Sequence, residues 1–150
     1  MSEKNIISPF QILDWRVISF SCNNLIPYIS DKIEHHWTIN AHIDQVKSEG
    51  NNLRAIIQIV FHFHAEQDGN EMTMNGQCAA MCEMDIDSVP EPESTFQNLL
   101  SRTAMTNSLA NLRVFLLQAG ILHQMGPKRT MLPFINLNHF HFDEDISFTT

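Results

Sequence analysis

Asn52 to Glu66 read NLRAIIQIVFHFHAE, and this stretch decides the fold class of the chain. Apolar residues occupy its odd positions, whereas most even positions are polar or charged. Unbroken alternation over this length is typical of a β-strand. The even positions also include Ile56 and Val60, which indicates that both faces are partly covered and that the strand lies inside a sheet. We expect a partner subunit to cover the second face.

Three other segments are predicted to be strands. One precedes the decisive stretch and alternates in the same way, and another follows Asp68-Gly69, a strong turn signal. A third, near the start of the chain, is rich in Ile, Val, Trp and Phe but alternates less cleanly. Consecutive strands are predicted to be neighbours in a four-stranded antiparallel meander. Their predicted bounds are about 10–22, 35–46, 52–66 and 71–86.

The periodicity changes from two to between three and four after the last of these strands. Ser94 and Gln97 have the spacing of a capping box, and the apolar residues that follow lie on one face of a helix. The helical region is predicted over about 95–125, ahead of Gly126-Pro127. Residues 127–150 have no helical period but are apolar, which predicts an extended loop and tail. The fold class is therefore α+β, in a single domain over 1–150.

The charge of the chain is concentrated in one stretch. Its net charge is −8, and no lysine or arginine occurs between Arg54 and Arg102. Such a field repels nucleic acid and anionic membranes and favours basic partners. The alternative is that these acidic residues only keep two turns and a strand edge hydrated, with no partner. The acids concerned are Glu66, Asp68, Glu71, Glu83, Asp85, Asp87, Glu91 and Glu93.

Hydropathy and cysteine usage indicate a cytoplasmic protein. The first residues have no apolar run of the length a secretory signal needs, and 18 consecutive apolar residues occur nowhere. The chain has three cysteines, an odd number. On one strand, Cys78 and Cys82 would be about 13 Å apart, too far for a disulfide. We therefore expect reduced thiols and no membrane insertion.

No motif in the sequence predicts an enzyme or a cofactor. It has no glycine-rich phosphate loop, no Gly-x-Ser-x-Gly and no calcium loop. Cys78 and Cys82 share a strand face with apolar neighbours in an acidic stretch, which favours inert buried thiols. We expect neither catalysis nor a bound metal.

Two alternatives remain open at this point. His62-Phe63-His64 and His139-Phe140-His141 each place two imidazoles on one side of an extended backbone, and four such nitrogens hold zinc if the segments meet. That arrangement would make a zinc-stabilised interaction module. The other alternative is a small-molecule-binding or hydrolytic hot-dog or cone-shaped fold, for which the region of Asp14 and His42 offers an acid and a base.

Five short motifs, in order along nearly the whole chain, resemble the protein-export chaperone SecB and its relatives. They are FQI at Phe10 to Ile12, ISF at Ile18 to Phe20, Cys82-Glu83, Leu112-Arg113, and LPFINLNHFHFD from Leu132 to Asp143. The last run is similar to the family's connecting loop. The matching positions in it are Leu132, Pro133, Ile135, Asn136, Leu137, Phe142 and Asp143.

This resemblance implies a function for the eight methionines, ten phenylalanines and two tryptophans of the chain. Members of the family are dimers of dimers that hold unfolded precursor proteins in apolar grooves and pass them to the export ATPase SecA. The residues that it implies for a SecA-type surface are Met81, Cys82 and Glu83. Those implied for client binding are Trp15, Val17, Trp37, Leu132, Phe134, Ile135, Leu137, Phe140 and Phe142.

The chain departs from the family pattern at three places. Val17 and Ser21 stand where the family offers acids to SecA, and Ala110-Asn111 replaces a Pro-aromatic pair. Residues 146–150 lack the pattern of the family's closing helix. Binding of non-native protein survives these changes better than coupling to SecA does. A SecB relative that works outside export, such as one that protects an antitoxin, is therefore a second expectation.

Overall fold

Five antiparallel strands form one sheet in the computed structural model, which describes residues 7–28, 30, 33–119, 132 and 135–149. Their order across the sheet is β1-β4-β3-β2-β5. The strands are β1 (Phe10–Asn24), β2 (His35–Glu49), β3 (Asn52–Gln67), β4 (Asn70–Asp85) and β5 (Ile146–Thr149). The α+β class and the interior position of the decisive stretch, now β3, are confirmed.

The predicted meander is correct for β2, β3 and β4 but wrong for β1. Two-residue turns join β2 to β3 and β3 to β4, and Asp68 and Gly69 both adopt the positive φ angles of a tight hairpin. Such turns force consecutive strands to pair. Residues 25–34 between β1 and β2 impose no such constraint, and β1 pairs with β4 instead. The four strands thus have a Greek-key order.

A fifth strand lies where the sequence predicted an extended tail. β5 pairs antiparallel with the first half of β2, from His36 to Ile39. Its residues do alternate, because Ile146 and Phe148 are half-buried while Ser147 and Thr149 are exposed. Four residues are too few for period two to distinguish a strand from a loop.

Two β-bulges explain why β1 alternates less cleanly than its neighbours. Leu13 and Ile18 have no partner residue in β4, so the register shifts by one at each of them. Their side chains are 49% and 57% exposed. Trp15 and Val17, between the bulges, pair with Ala80 and Cys78 and therefore share the inner face of the sheet.

The predicted helical region consists of two α-helices joined by a π-helical turn. They are α1 (Pro92–Leu99) and α2 (Met105–Gln118), and the turn spans Leu100–Ala104. The capping box was wrong, because the helix begins before Ser94, with Pro92 in its first turn and Glu91 as N-cap in the left-handed region. The predicted end near residue 125 lies outside the described residues. Among those residues, no helix is both long and apolar enough to cross a membrane.

The core lies between the helices and the inner face of the sheet. Phe96 packs against Phe10 with ring centroids 6.0 Å apart, and Phe115 meets Phe20 edge to face at 5.2 Å. The buried helical residues are Phe96, Leu100, Ala104, Met105, Ser108, Leu109, Leu112 and Leu116.

The outer face of the sheet is the one for which the sequence predicted a cover. Val60 is 50% exposed there, and Ile56 is half-buried. Cover by a partner subunit stays a prediction.

Gly76 leaves the space that an aromatic ring of the core fills. It pairs across the sheet with Phe61, and a Cβ at this position would lie closer than 3.0 Å to the Phe61 ring. We expect Gly76→Ala to lower the free energy of unfolding by about 1–3 kcal/mol, the range for overpacking a core. Urea unfolding measures this loss. The loss should shrink in a Phe61→Leu background, and an equal loss there would contradict the steric explanation.

Candidate functional site

The C-terminal segment, residues 135–149, contains a short 3-10 helix at Leu137–His139 and then runs along β2 from Asp143 to Thr149. The backbone N–H of Asp143 donates to the carbonyl of Ala41 at 2.8 Å, and β5 continues the pairing. Side chains on the outer face add a ladder of four hydrogen-bonded pairs between β2 and the segment. These are His42 with Asp143 (2.6 Å), Asn40 with Asp145 (2.9 Å), Thr38 with Ser147 (3.3 Å) and His36 with Thr149 (2.9 Å).

Aromatic rings gather on the inner side of the same edge. Phe148 of β5 stacks on Trp37 with ring centroids 6.5 Å apart, and Trp37 meets Phe63 edge to face at 4.9 Å. Phe140 and Phe142 form a further edge-to-face pair at 4.9 Å. The edge of β2 thus holds an extended segment by main-chain pairing, with apolar side chains inward and polar ones outward.

The segment before this docked stretch is tied to the helix. The guanidinium Nε of Arg113 donates to the carbonyl of Leu132 at 2.6 Å. This contact joins two of the motifs that carry the resemblance to SecB, Leu112-Arg113 and the closing run. The arginine therefore ties Leu132 to α2.

The structure divides the predicted client-binding residues into two groups. Trp37, Leu132 and Phe140 are buried, so they cannot contact a client while the chain keeps this conformation. The sequence did not predict this burial, because alternation shows on which face of the sheet a side chain lies but not what covers that face. The half-buried residues are Trp15, Val17, Ile135, Leu137 and Phe142, and Phe134 lies outside the described residues.

Exposed apolar residues that the sequence reasoning missed lie in and after β1. The bulge residues Leu13 and Ile18 are joined by Leu25 and Tyr28 in the connection to β2. The break in the alternation of β1 was the one sequence signal for the bulges. Because bulges re-aim side chains, they place apolar groups at an edge that period two would have left polar.

The three residues of the predicted SecA-type surface do not lie on one face. Met81 and Glu83 point outward, whereas Cys82 is fully buried on the inner face. Cys82 therefore cannot belong to that surface, because adjacent strand residues point to opposite faces. Glu83 accepts a hydrogen bond from the Nε of Arg54 at 2.5 Å, and Arg54 also donates to Glu49 at 2.9 Å.

The acids of the stretch without lysine or arginine form separate groups. Glu66, Asp68 and Glu71 lie at one end of the β3–β4 hairpin, and Glu83 and Asp85 lie at the other. At about 3.4 Å per residue, these groups are roughly 40 Å apart. They do not make one continuous acidic surface.

Cys78 and Cys82, which the sequence predicts to be inert, are buried on the inner face of the sheet. Burial raises the pKa of Cys78 to about 12 and that of Cys82 to about 11, and all three cysteines are free thiols. The thiolate, which is the reactive form of cysteine, is therefore disfavoured at both positions. We expect both thiols to resist iodoacetamide in the native protein and to react after unfolding, as read by mass spectrometry. Labelling of either thiol in the native protein as fast as an exposed cysteine would contradict this burial.

The acid and base proposed for the enzyme alternative do not meet. Asp14 lies on β1, where it is paired with Arg16, and His42 lies on β2, where it is paired with Asp143. Two strands separate β1 from β2, so these residues are about 14 Å apart. Three hollows lined by described residues, one of them beside Asp14, are open to solvent.

The two histidine triplets of the zinc alternative have different surroundings. His62 and His64 lie on the outer face of β3, whereas His139 and His141 are exposed in the C-terminal segment. Among the described residues, His64 comes together with Glu66 and Glu71 and with no histidine of the second triplet.

Comparison with known proteins adds a structural relative. No protein-family model and no curated protein matches the sequence. Among solved structures, the chain is similar to the SecB-like chaperone Rv1957 of Mycobacterium tuberculosis, solved in complex with a ChAD peptide from the antitoxin HigA1 (Rv1956). The TM-score is 0.59 at 12% identity, over 84% of this chain and 90% of that one. The chain therefore has the fold of a SecB-like chaperone.

Proposed function

We propose that this protein is a molecular chaperone, a holdase that binds non-native polypeptides in extended form. One observation carries the proposal: the sheet already accepts an extended segment along β2 by strand addition, with Phe148 seated on Trp37. Strand addition supplies affinity through the main chain, which all clients share, while pockets for alternate side chains accept apolar residues. The SecB-like neighbour, solved with a bound peptide, supports the same proposal.

Half-buried apolar side chains are the surface that we assign to client contact. They are Trp15, Val17, Ile135, Leu137 and Phe142, together with the exposed bulge residues Leu13 and Ile18. The buried indole Nε1 of Trp15 has no hydrogen-bond acceptor among the described residues.

The proposed action needs no catalysis and no cofactor. Binding is reversible and depends on apolar contact and backbone hydrogen bonds, so covalent chemistry has no part in it. Holding a client this way keeps its apolar segments from meeting those of other molecules, which is how aggregation begins.

Suppression of aggregation tests the proposal. A chemically denatured client is diluted into buffer with near-stoichiometric chaperone, and light scattering is followed. Phe142→Ser should lower client affinity about tenfold, because part of an aromatic contact worth about 1.5–3 kcal/mol is lost. Val114→Ser is the matched control, since Val114 is an exposed apolar residue on α2 and is not among the residues assigned to client contact. Unsuppressed scattering with the intact protein would end the proposal.

A second candidate is a chaperone dedicated to one client, such as an antitoxin, instead of export. The neighbour's bound antitoxin peptide favours it. The state of the SecA-type surface points the same way, because Arg54 engages Glu83 and Cys82 is buried. Native mass spectrometry with purified SecA separates the two, since an export chaperone forms a complex and a dedicated one does not.

We further propose that the protein is a cytoplasmic homo-oligomer, a dimer of dimers. Val60 and Met81 expose apolar surface on the outer face of the sheet, and such surface is commonly buried between subunits. Native mass measurement should give a tetramer. A monodisperse monomer would contradict this assembly while leaving client binding to be judged by the scattering assay.

A further inference from the structure

The end of the β3–β4 hairpin places two carboxylates directly opposite each other. Glu66 of β3 pairs with Glu71 of β4, next to the turn at Asp68-Gly69. His64 lies two residues before Glu66, so its imidazole is on the same outer face. The period of the strand therefore brings one nitrogen and two carboxylate ligands to one place.

The distances among these groups suit a metal ion. The Nε2 of His64 is 3.6 Å from a carboxylate oxygen of Glu71, and the ligand atoms of all three residues lie within 4.8 Å of one another. A tetrahedral zinc ion, with ligands at about 2.0–2.2 Å, holds its ligand atoms about 3.4 Å apart. Both glutamates are exposed. Exposed side chains have room to change rotamer, so their carboxylate oxygens are free to move toward that spacing.

The opposed carboxylates of Glu66 and Glu71 would be stabilised by a cation. Like charges directly opposite in neighbouring strands destabilise a sheet. Among the described residues, no lysine or arginine forms an ion pair with Glu66 or Glu71, and the nearest counter-group is the imidazole of His64. A divalent ion would convert this repulsion into two favourable contacts.

A polar hollow adjoins the three residues and leaves room for further ligands. Its volume is about 430 Å³, and its lining includes Glu34, His36, His64 and Glu66. The ring of His36 stacks on that of His64 with centroids 6.2 Å apart. Water or a side chain of the hollow can therefore complete the coordination, as in sites with three protein ligands.

We propose that His64, Glu66 and Glu71 bind a divalent transition-metal ion, with zinc as the best match. One imidazole with two carboxylates is a ligand set that zinc accepts, whereas calcium and magnesium prefer oxygen ligands alone. The ion pins the hairpin end of β3 and β4. This site goes beyond client binding, and it stands or falls separately from the chaperone proposal.

Calorimetric titration of the untagged, metal-free protein with zinc chloride tests the site. His64→Ala should weaken the site's zinc affinity at least tenfold, since loss of even an outer-shell partner costs about 10–100-fold. His62→Ala is the matched control, because His62 lies on the same face of β3 but is hydrogen-bonded to Asn75. It should leave zinc affinity unchanged.

Two further measurements keep the result unambiguous. Glu71→Gln should raise the melting temperature of the metal-free protein, because the opposed charges are gone, and yet weaken zinc binding. Calcium chloride should give no comparable heat. Equal zinc affinity in the intact protein and His64→Ala, or calcium binding as tight as zinc binding, would overturn the proposal.

Discussion

Trp37→Ala is expected to lower the free energy of unfolding by about 3–5 kcal/mol, the range for truncating a buried aromatic residue. Trp37 is 1% exposed, meets Phe63 edge to face and is covered by Phe148. Truncation removes both ring contacts and leaves a cavity on the inner face of the sheet. A domain of this size is stable by only about 5–15 kcal/mol, so the loss is a large share of the whole.

Trp15→Ala is the control for this prediction. Trp15 is only half-buried on β1, so its truncation should cost clearly less stability while reducing client binding. Urea unfolding followed by far-ultraviolet circular dichroism measures both variants, because that signal comes mainly from the peptide backbone. Equal stability losses in the two variants would contradict the assignment of Trp37 to the core and Trp15 to the surface.

Phe148→Asp is expected to detach β5 from β2. Phe148 supplies the inward aromatic contact of this four-residue strand, and a carboxylate facing Trp37 would be desolvated without a partner. The backbone amides of His36 to Ile39 that face β5, rather than those that bond to β3, should then exchange with solvent at least about tenfold faster, the factor that 1.4 kcal/mol represents. Hydrogen exchange with mass spectrometry detects this change.

Ser147→Asp is the matched control for β5. Ser147 lies on the same strand but faces outward, so the added charge stays in water and the exchange of β2 should be unchanged. Client affinity adds a second readout, since a freed edge of β2 should bind an extended client more tightly. Unchanged exchange in Phe148→Asp would show that its ring does not hold the strand.

The fold could be predicted where a short stretch of sequence determines the local structure. The alternation of β3 and the Asp68-Gly69 turn set the interior strand and its hairpin, because both signals act over neighbouring residues. The pairing of β1 with β4 could not be predicted, since residues 25–34 give no local signal for the strand that β1 meets. Pro92 rather than Ser94 began the helix, because a proline fits the first turn without losing a hydrogen bond.

The candidate site was harder to predict than the fold for a physical reason. Sequence pattern assigns a side chain to a face, but burial depends on what the rest of the chain lays over that face. Trp37 was expected to meet a client, yet the chain's own Phe148 covers it. Leu13 and Ile18 were missed because a bulge changes the face of one residue without changing the overall composition of the strand.

Binding to a permanently unfolded protein is the measurement that tests the central claim most directly. A reduced, carboxymethylated client and its native, disulfide-bonded form have the same sequence, and calorimetric titration compares the affinity of the chain for each. The chaperone proposal predicts binding to the unfolded form, weakened by Phe142→Ser, and none to the native form. Failure to bind the unfolded form, or equal binding to both forms, would contradict it.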